Sequence, residues 1–135
     1  MVFAAIDIGS NAIRLLFCRV YNVDGKPHYS KEELFRMPIR LGEDVFLQGK
    51  ITVQKADRLI TALKGHSELI KAYGVEKYRA VATSAMRDAS NGAEIIARVK
   101  SEAGIEVEII DGKNEAALVF SNHIEELLNP KHAYL

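Results

Sequence analysis

The spacing of hydrophobic residues changes about a third of the way along the chain. Two apolar, β-rich runs at residues 3–8 and 12–21 are separated by a Gly-Ser-Asn turn, a pattern typical of a β-hairpin. A second turn at residues 22–25 leads into a third run at 28–39, which is polar enough to form an edge strand. The first third of the chain therefore predicts three antiparallel strands.

After Thr52 the spacing becomes helical. Apolar residues at every third or fourth position predict a helix that is capped by Thr52 and ends at Gly74. Strands and helices then alternate, at residues 78–83, 90–104, 105–110 and 112–129. The order β-β-β-α-β-α-β-α predicts an α/β fold in which a mixed five-stranded sheet carries helices on both faces.

The composition is that of one globular domain. Hydrophobic residues make up 48% of the 135-residue chain and charged residues 27%, a balance that can bury one core. No apolar run approaches the ~20 residues needed to span a bilayer, and the N-terminus has no signal-peptide pattern. We therefore expect a cytoplasmic protein without membrane contact, whose first lobe spans residues 1–130. Residues 131–135 are expected to begin a second lobe.

The charge balance argues against one class of partner. Lysine plus arginine and aspartate plus glutamate each total 18, so the net charge of zero disfavours a nucleic-acid-binding surface. A small anion needs only a few backbone amides and one or two arginines. The single cysteine, Cys18, is expected to be a buried packing thiol, and the four histidines lack the spacing of a zinc site.

The segment that begins at Asp7 is the first candidate for chemistry. A carboxylate within an apolar strand is costly unless it meets a partner or a cation. Gly9 lets the backbone approach a ligand closely, and successive amides of a tight turn can bind an anion. Ser10 and Asn11 add side-chain donors. An ordinary hairpin turn explains this short pattern equally well.

Two further segments follow buried strands at their carboxyl ends, where ligands bind in open α/β sheets. Arg87 could hold phosphate oxygens through two hydrogen bonds, or it could pair with Asp88 on the surface. Glu115 lies in the first turn of a predicted helix, where the helix N-terminus stabilises its charge; its functional alternative is a general base for water. A loop at residues 40–43 either contacts a substrate or only turns the chain.

Taken together, these segments resemble the N-terminal lobe of the exopolyphosphatase / guanosine pentaphosphate phosphohydrolase family. The resemblance covers essentially the whole chain and consists of five segments in order, at residues 5–11, 14–15, 40–43, 82–87 and 108–116. It implies a ribonuclease-H-like lobe of the actin, sugar-kinase and heat-shock-chaperone superfamily. The periodicity leads to the same element order.

The resemblance also implies roles for individual residues. Asp7 would face a Mg²⁺ site, residues 9–11 would form the first phosphate-binding loop, and Arg87 would contact substrate phosphate. Glu115 would position or deprotonate the attacking water. The implied reaction is attack of water on a terminal phosphate of inorganic polyphosphate or guanosine pentaphosphate, and the residues do not decide between these substrates.

Two residues depart from the family pattern. Ala117 stands where many relatives have arginine, and Asp44 replaces a glycine, which suggests a narrower or reshaped loop at this point. In the family, a second phosphate loop follows on another lobe. We therefore expect this chain to hold half of the site, to be inactive alone and to need its C-terminal lobe; the apolar surface left uncovered makes a homodimer a further expectation.

Two other functions fit the same residues. A kinase or ATPase of the same superfamily would use the first loop for ATP phosphates and would transfer a phosphate to a small acceptor. A phosphate or nucleotide sensor would bind its ligand tightly and release no phosphate.

Overall fold

Residues 1–111 are described by the computed structural model, and they fold around a mixed five-stranded sheet. The strands are β1 (Val2–Ile8), β2 (Ala12–Val23), β3 (Lys26–Pro38), β4 (Lys77–Ala82) and β5 (Glu108–Ile109). The first three are antiparallel neighbours, whereas β4 runs parallel to β1 and β5 runs parallel to β4. The order β3-β2-β1-β4-β5 places β1 at the centre. The predicted α/β class with a mixed five-stranded sheet is confirmed.

Helices connect the strands after β3. They are α1 (Leu41–Gln48), α2 (Val53–Ala72), α3 (Ser84–Asp88) and α4 (Gly92–Arg98), which continues into a π-helical turn at Val99–Ala103. Helices α2 and α4 with its π-helical turn correspond to the first two predicted helices. Helices α1 and α3 are additional. The helix predicted at residues 112–129 and the lobe boundary near residue 130 lie outside the described residues.

Helix α2 begins and ends where its sequence signals predict. The Thr52 side chain accepts a hydrogen bond from the Lys55 N–H at 3.4 Å, which caps the first turn. Gly74 follows the last turn with a φ of 64°, the left-handed conformation that terminates many helices. Both ends are therefore set by local residues.

The core lies between one face of the sheet and α2. Alternating residues of β2 are buried there, and the Phe17 ring stacks on Tyr73 with centroids 4.0 Å apart. From α2, the buried side chains recur at helical spacing, at Ala56, Leu59, Ile60, Leu63 and His66. Cys18 is 1% exposed, in agreement with its expected packing role. The opposite face of the sheet carries the polar row described below, near the carboxyl end of β1.

Candidate functional site

The loop at residues 9–11 joins β1 to β2 at the carboxyl ends of β1 and β4. Its first residue, Gly9, donates its N–H to the carbonyl of Ala12 at 3.0 Å. A Cβ at Gly9 would approach that carbonyl oxygen to 3.3 Å, closer than most side chains tolerate. Glycine therefore permits the tight turn that brings Ser10 and Asn11 to the end of the sheet.

A second segment supports this loop from behind. The N–H groups of Ile39 and Arg40 both donate to the carbonyl of Asn11 at 2.9 Å, and the N–H of Gly42 donates to the carbonyl of Ser10 at 2.9 Å. A Cβ at Gly42 would lie 3.0 Å from the Ser10 Cβ. The missing side chain at Gly42 thus lets the start of α1 pack directly against the loop.

The prediction of a loop at residues 40–43 is wrong. Leu41 begins helix α1, and Arg40 precedes it in the left-handed conformation with a φ of 56°. In the sequence Gly42 suggests a turn. In the structure its missing side chain lets the backbone approach Ser10 closely, and its φ is not in the left-handed region that favours glycine. This segment positions the phosphate-loop candidate through backbone hydrogen bonds.

Asp44 is buried and forms its contacts within the fold. Its carboxylate accepts hydrogen bonds from the Thr52 N–H at 2.9 Å and from the Thr52 hydroxyl at 2.7 Å, and it pairs with the Lys55 Nζ at 2.8 Å. Burial raises the pKa of Asp44, but the hydrogen bonds from Lys55 and Thr52 outweigh it and hold the pKa below its usual value. Its side chain ties α1 to the start of α2.

An open cavity of about 360 Å³ lies beside the loop at the carboxyl end of the sheet. The strand register places Asp7 opposite Arg14 and Arg14 opposite Arg36, so the three side chains form a row on one face. The cavity is lined by this row, by the loop and by the ends of neighbouring strands: Asp7, Gly9, Ser10, Asn11, Ala12, Arg14, Arg36, Val81, Thr83 and Ile110. Four of the predicted site residues are thereby brought together.

The charges of the described lining residues leave the cavity positive. The Arg14 Nη2 lies 2.5 Å from the Asp7 Oδ2, and this pair cancels its own charge. Arg36 adds a second guanidinium to the same cavity. A cavity of this kind, with a glycine turn and an excess positive charge, suits an anion with several oxygen acceptors.

The segment that follows β4, which contains Ser84 and Arg87, also contacts the loop. The hydroxyls of Ser10 and Ser84 are 2.9 Å apart and share a hydrogen bond, although 74 positions separate them in sequence. Ser84 begins α3, directly after β4. This contact fixes the side chain of Ser10 relative to the end of β4.

Arg87 makes the surface pairing that is one of its two predicted alternatives, and it also contacts the backbone beside the cavity. Its Nη1 donates to the carbonyl of Ile110 at 3.1 Å, and its Nε lies 3.5 Å from the Asp88 Oδ1. Ile110 lines the cavity, but Arg87 does not. Arg87 is thus tied to a residue of the cavity lining, and its contact with substrate stays a prediction. Glu115 and Ala117 lie outside the described residues.

The described lining of the cavity offers a metal ion one carboxylate and several other oxygen atoms. Within residues 1–111 there is no group of three or more His, Cys, Asp or Glu side chains that could hold a metal, and Asp7 is the carboxylate that lines the cavity. A single carboxylate fits Mg²⁺, because that ion commonly keeps several waters and takes its other ligands from substrate phosphates. The hydroxyls of Ser10 and Thr83 add oxygen atoms nearby.

Comparison with known proteins decides the family. Residues 25–134 match the Ppx/GppA phosphatase family. The chain belongs to this family. Exopolyphosphatase 1 of Mycobacterium tuberculosis is 32% identical over 120 residues, which cover 89% of this chain and 34% of that protein. The guanosine-5'-triphosphate,3'-diphosphate pyrophosphatase of Vibrio cholerae is 27% identical over 119 residues, covering 88% of this chain and 23% of that protein.

Solved structures of Ppx/GppA proteins have the same fold. The crystal structure of the Aquifex aeolicus member superimposes with a TM-score of 0.78 at 36% identity and covers 85% of this chain and 36% of that one. An exopolyphosphatase from Cytophaga hutchinsonii gives a TM-score of 0.76 at 33% identity, covering 87% and 36%. The predicted family and its actin-like, ribonuclease-H-like fold are confirmed. The chain spans about a third of the length of these relatives. Within the described part of the chain, no helix has the length and apolar character needed to cross a membrane.

Proposed function

We propose that the protein carrying this chain is a hydrolase that releases the terminal phosphate of inorganic polyphosphate or guanosine pentaphosphate. One observation carries the proposal: the glycine turn at residues 9–11 and two arginines line one cavity at the carboxyl end of the sheet. The family supports it, because relatives are named as an exopolyphosphatase and as a pyrophosphatase of a guanosine polyphosphate.

In this proposal the first loop holds the terminal phosphate. The backbone amides of residues 9–11 and the side chains of Ser10 and Asn11 donate to its oxygens. Mg²⁺, when bound next to Asp7, would neutralise charge on the phosphates. Arg87, which holds the cavity-lining Ile110, is proposed to contact substrate phosphate from that position. Catalysis then comes mainly from positioning and from neutralisation of charge.

Glu115 is proposed to orient the attacking water or to take its proton. A carboxylate near a crevice that binds phosphate can serve this role if it lies within hydrogen-bond reach of the water. Because the chain spans about a third of its relatives, we propose that turnover requires the sequence that corresponds to their remaining part. The 135-residue chain alone is expected to bind phosphates and to release none.

The test is Mg²⁺-dependent phosphate release by the full-length protein that contains this chain, with long-chain polyphosphate and with guanosine pentaphosphate. Release from either substrate supports a hydrolase. Release from neither overturns the proposal; transfer from ATP to a small acceptor would then indicate a kinase, and tight binding without release would indicate a sensor.

Glu115→Gln tests the proposed role of that residue in the same assay. We expect a fall in kcat of about a hundredfold or more with little change in substrate binding, since general-base catalysis typically contributes about 10²–10⁴-fold. The matched control is Glu94→Gln, because Glu94 is exposed and lies in the first turn of α4, the position that the sequence predicts for Glu115 in its own helix. Unchanged turnover in Glu115→Gln would reduce Glu115 to a residue that stabilises the start of a helix.

A further inference from the structure

Arg36 is a cavity residue that the sequence motifs do not include. It lies on β3, the edge strand, directly opposite Arg14 in the register of β2 and β3. Since residues opposite each other in an antiparallel pair share a face, the Arg36 side chain stands on the same side of the sheet as Arg14 and Asp7. It lines the same cavity as the loop at residues 9–11.

The two arginines of the cavity differ in their partners. Arg14 is paired with the Asp7 carboxylate. Among the residues that the structure describes, Arg36 has neither an ion pair nor a side-chain hydrogen bond. Arg36 is also exposed to solvent, so its guanidinium can turn toward a ligand. The excess positive charge of the cavity is therefore concentrated on Arg36, at its outer edge.

The position of Arg36 determines which part of a ligand it can meet. Strand β2 lies between β1 and β3, and neighbouring strands are ~4.8 Å apart. The backbone of Arg36 is thus roughly 10 Å from that of Asp7 by this spacing. A phosphate held by the loop lies beyond the paired ends of β1 and β2, whereas Arg36 stands beside Arg14 on β3, two residues before the Pro38 that pairs with Ala12. An extended ligand with one phosphate in the loop can place a second, linked anionic group at Arg36.

We propose that Arg36 is a specificity residue that binds a second, non-terminal phosphate of an extended phosphate chain. This inference rests on the proposed function, because it takes the loop at residues 9–11 as the site of the terminal phosphate. It assigns to the cavity a preference for linked phosphates over a single phosphate. The preference arises from the β2–β3 register, which places a second guanidinium opposite Arg14 on the strand next to β2, set back from the loop.

Two probes separate these two sites: inorganic triphosphate and orthophosphate, titrated without metal into the 135-residue chain and followed by amide NMR shifts. We expect Arg36→Gln to weaken triphosphate binding about fivefold, as an exposed charge contact of about 1 kcal/mol implies, and to leave orthophosphate binding unchanged. Arg36→Lys keeps the charge and should recover part of the loss. Lys26→Gln is the matched control: it removes one positive charge from β3, roughly 33 Å along the strand from Arg36.

Each result decides between the inference and its rivals. Triphosphate binding that is equally tight in Arg36→Gln overturns the role of Arg36 and leaves the proposed function standing. Equal weakening of both anions, or the same weakening in Lys26→Gln, shows a general effect of charge and also overturns the specificity role. If the unsubstituted chain binds triphosphate but not orthophosphate, the inference that the loop holds a single phosphate is wrong. If it binds neither anion, the proposed phosphate loop and the role of Arg36 both fail.

Discussion

Gly92 and Gly65 are both helical glycines, and the structure predicts opposite effects when each is replaced by alanine. Gly92 is the first residue of α4 and is buried against α3. A Cβ at this position would lie 2.0 Å from the carbonyl oxygen of Met86 and 3.1 Å from its carbonyl carbon. Gly65 lies within α2, where a Cβ would have no atom within 4 Å. The same chemical change therefore meets a backbone carbonyl in one case and open space in the other.

The expected magnitude follows from these distances. An ordinary contact of a Cβ begins near 3.4 Å, so Gly92→Ala must move α3 and α4 apart by about 1.4 Å, the difference between 3.4 and 2.0 Å. Met86 is 1% exposed and part of the core, so this shift also loosens packed side chains. Overpacking of this kind costs about 3 kcal/mol. Gly65→Ala should instead stabilise α2 by about 0.5–1 kcal/mol through lower backbone entropy in the unfolded chain.

Thermal and urea unfolding of the 135-residue chain, followed by circular dichroism, would measure both effects. At about 3–4 °C per kcal/mol for a chain of this size, Gly92→Ala should lower the Tm by about 10 °C. Gly65→Ala should raise it by about 2–4 °C on the same scale. If Gly92→Ala melted at or above the Tm of the unsubstituted chain, the close contact between α4 and Met86 would be refuted. A destabilised Gly65→Ala would refute the open position on α2.

Two buried titratable groups give pH-dependent predictions. Burial lowers the pKa of His66, whose Nδ1 has no hydrogen-bond partner within residues 1–111. As the pH falls, the imidazole is therefore protonated in the unfolded chain before it is protonated in the folded one. The free energy of unfolding should decrease as the pH drops below about 6.5. His66→Leu should remove that part of the pH dependence from urea titrations between pH 7 and 5, and an unchanged slope would contradict the assignment. Asp44→Asn should lower stability at pH 7 by about 1–2 kcal/mol, because Lys55 loses its buried partner. Since the pKa of Asp44 is lowered in the fold, the carboxylate stabilises the folded chain above about pH 4, and this stabilisation is lost as the pH falls further. A stability difference between Asp44→Asn and the unsubstituted chain that stayed constant down to pH 2 would contradict this account.

The elements that could be predicted from sequence are those set by local signals. The Gly-Ser-Asn turn between two β-rich runs produces the β1–β2 hairpin, and Thr52 and Gly74 mark the ends of α2. In each case the residue that decides the conformation lies within the element or next to it. Periodicity then identifies the buried face of α2, because the helix packs on the sheet along a single stripe.

Helix α1 could not be predicted by the same reasoning. Two of its apolar residues point to solvent, with Phe46 88% and Leu47 69% exposed, so the helix lacks a clear apolar stripe. It begins where residues 39–42 bond to the carbonyls of Ser10 and Asn11, about 30 positions earlier in the chain. The signal for α1 is therefore a tertiary contact, and the sequence around Gly42 shows only a residue typical of turns.

The candidate site divides in the same way. Asp7 and the loop at residues 9–11 form a continuous motif, so their proximity follows from the chain itself. Arg36 reaches the cavity only through the register of β2 and β3, in which a bulge between Phe17 and Cys18 shifts the pairing along the hairpin. A slip of one residue would place Arg36 on the other face of the sheet. The motif residues of the site could thus be predicted from the sequence, whereas Arg36 could not, because its position depends on strand pairing.

The shape of the phosphate-loop candidate depends on residues that do not line the cavity. Arg40 adopts a left-handed conformation that costs a non-glycine residue about 1 kcal/mol or more. Its N–H donates to the carbonyl of Asn11, and its own carbonyl accepts the Lys55 Nζ at 2.9 Å. Lys55 is held in turn by Asp44 at 2.8 Å. Asp44, the residue that the resemblance marks as a departure from the family pattern, thus helps to hold Arg40 in the conformation that supports the loop. We expect its effect on ligand binding to arise through backbone position and not through contact with the anion.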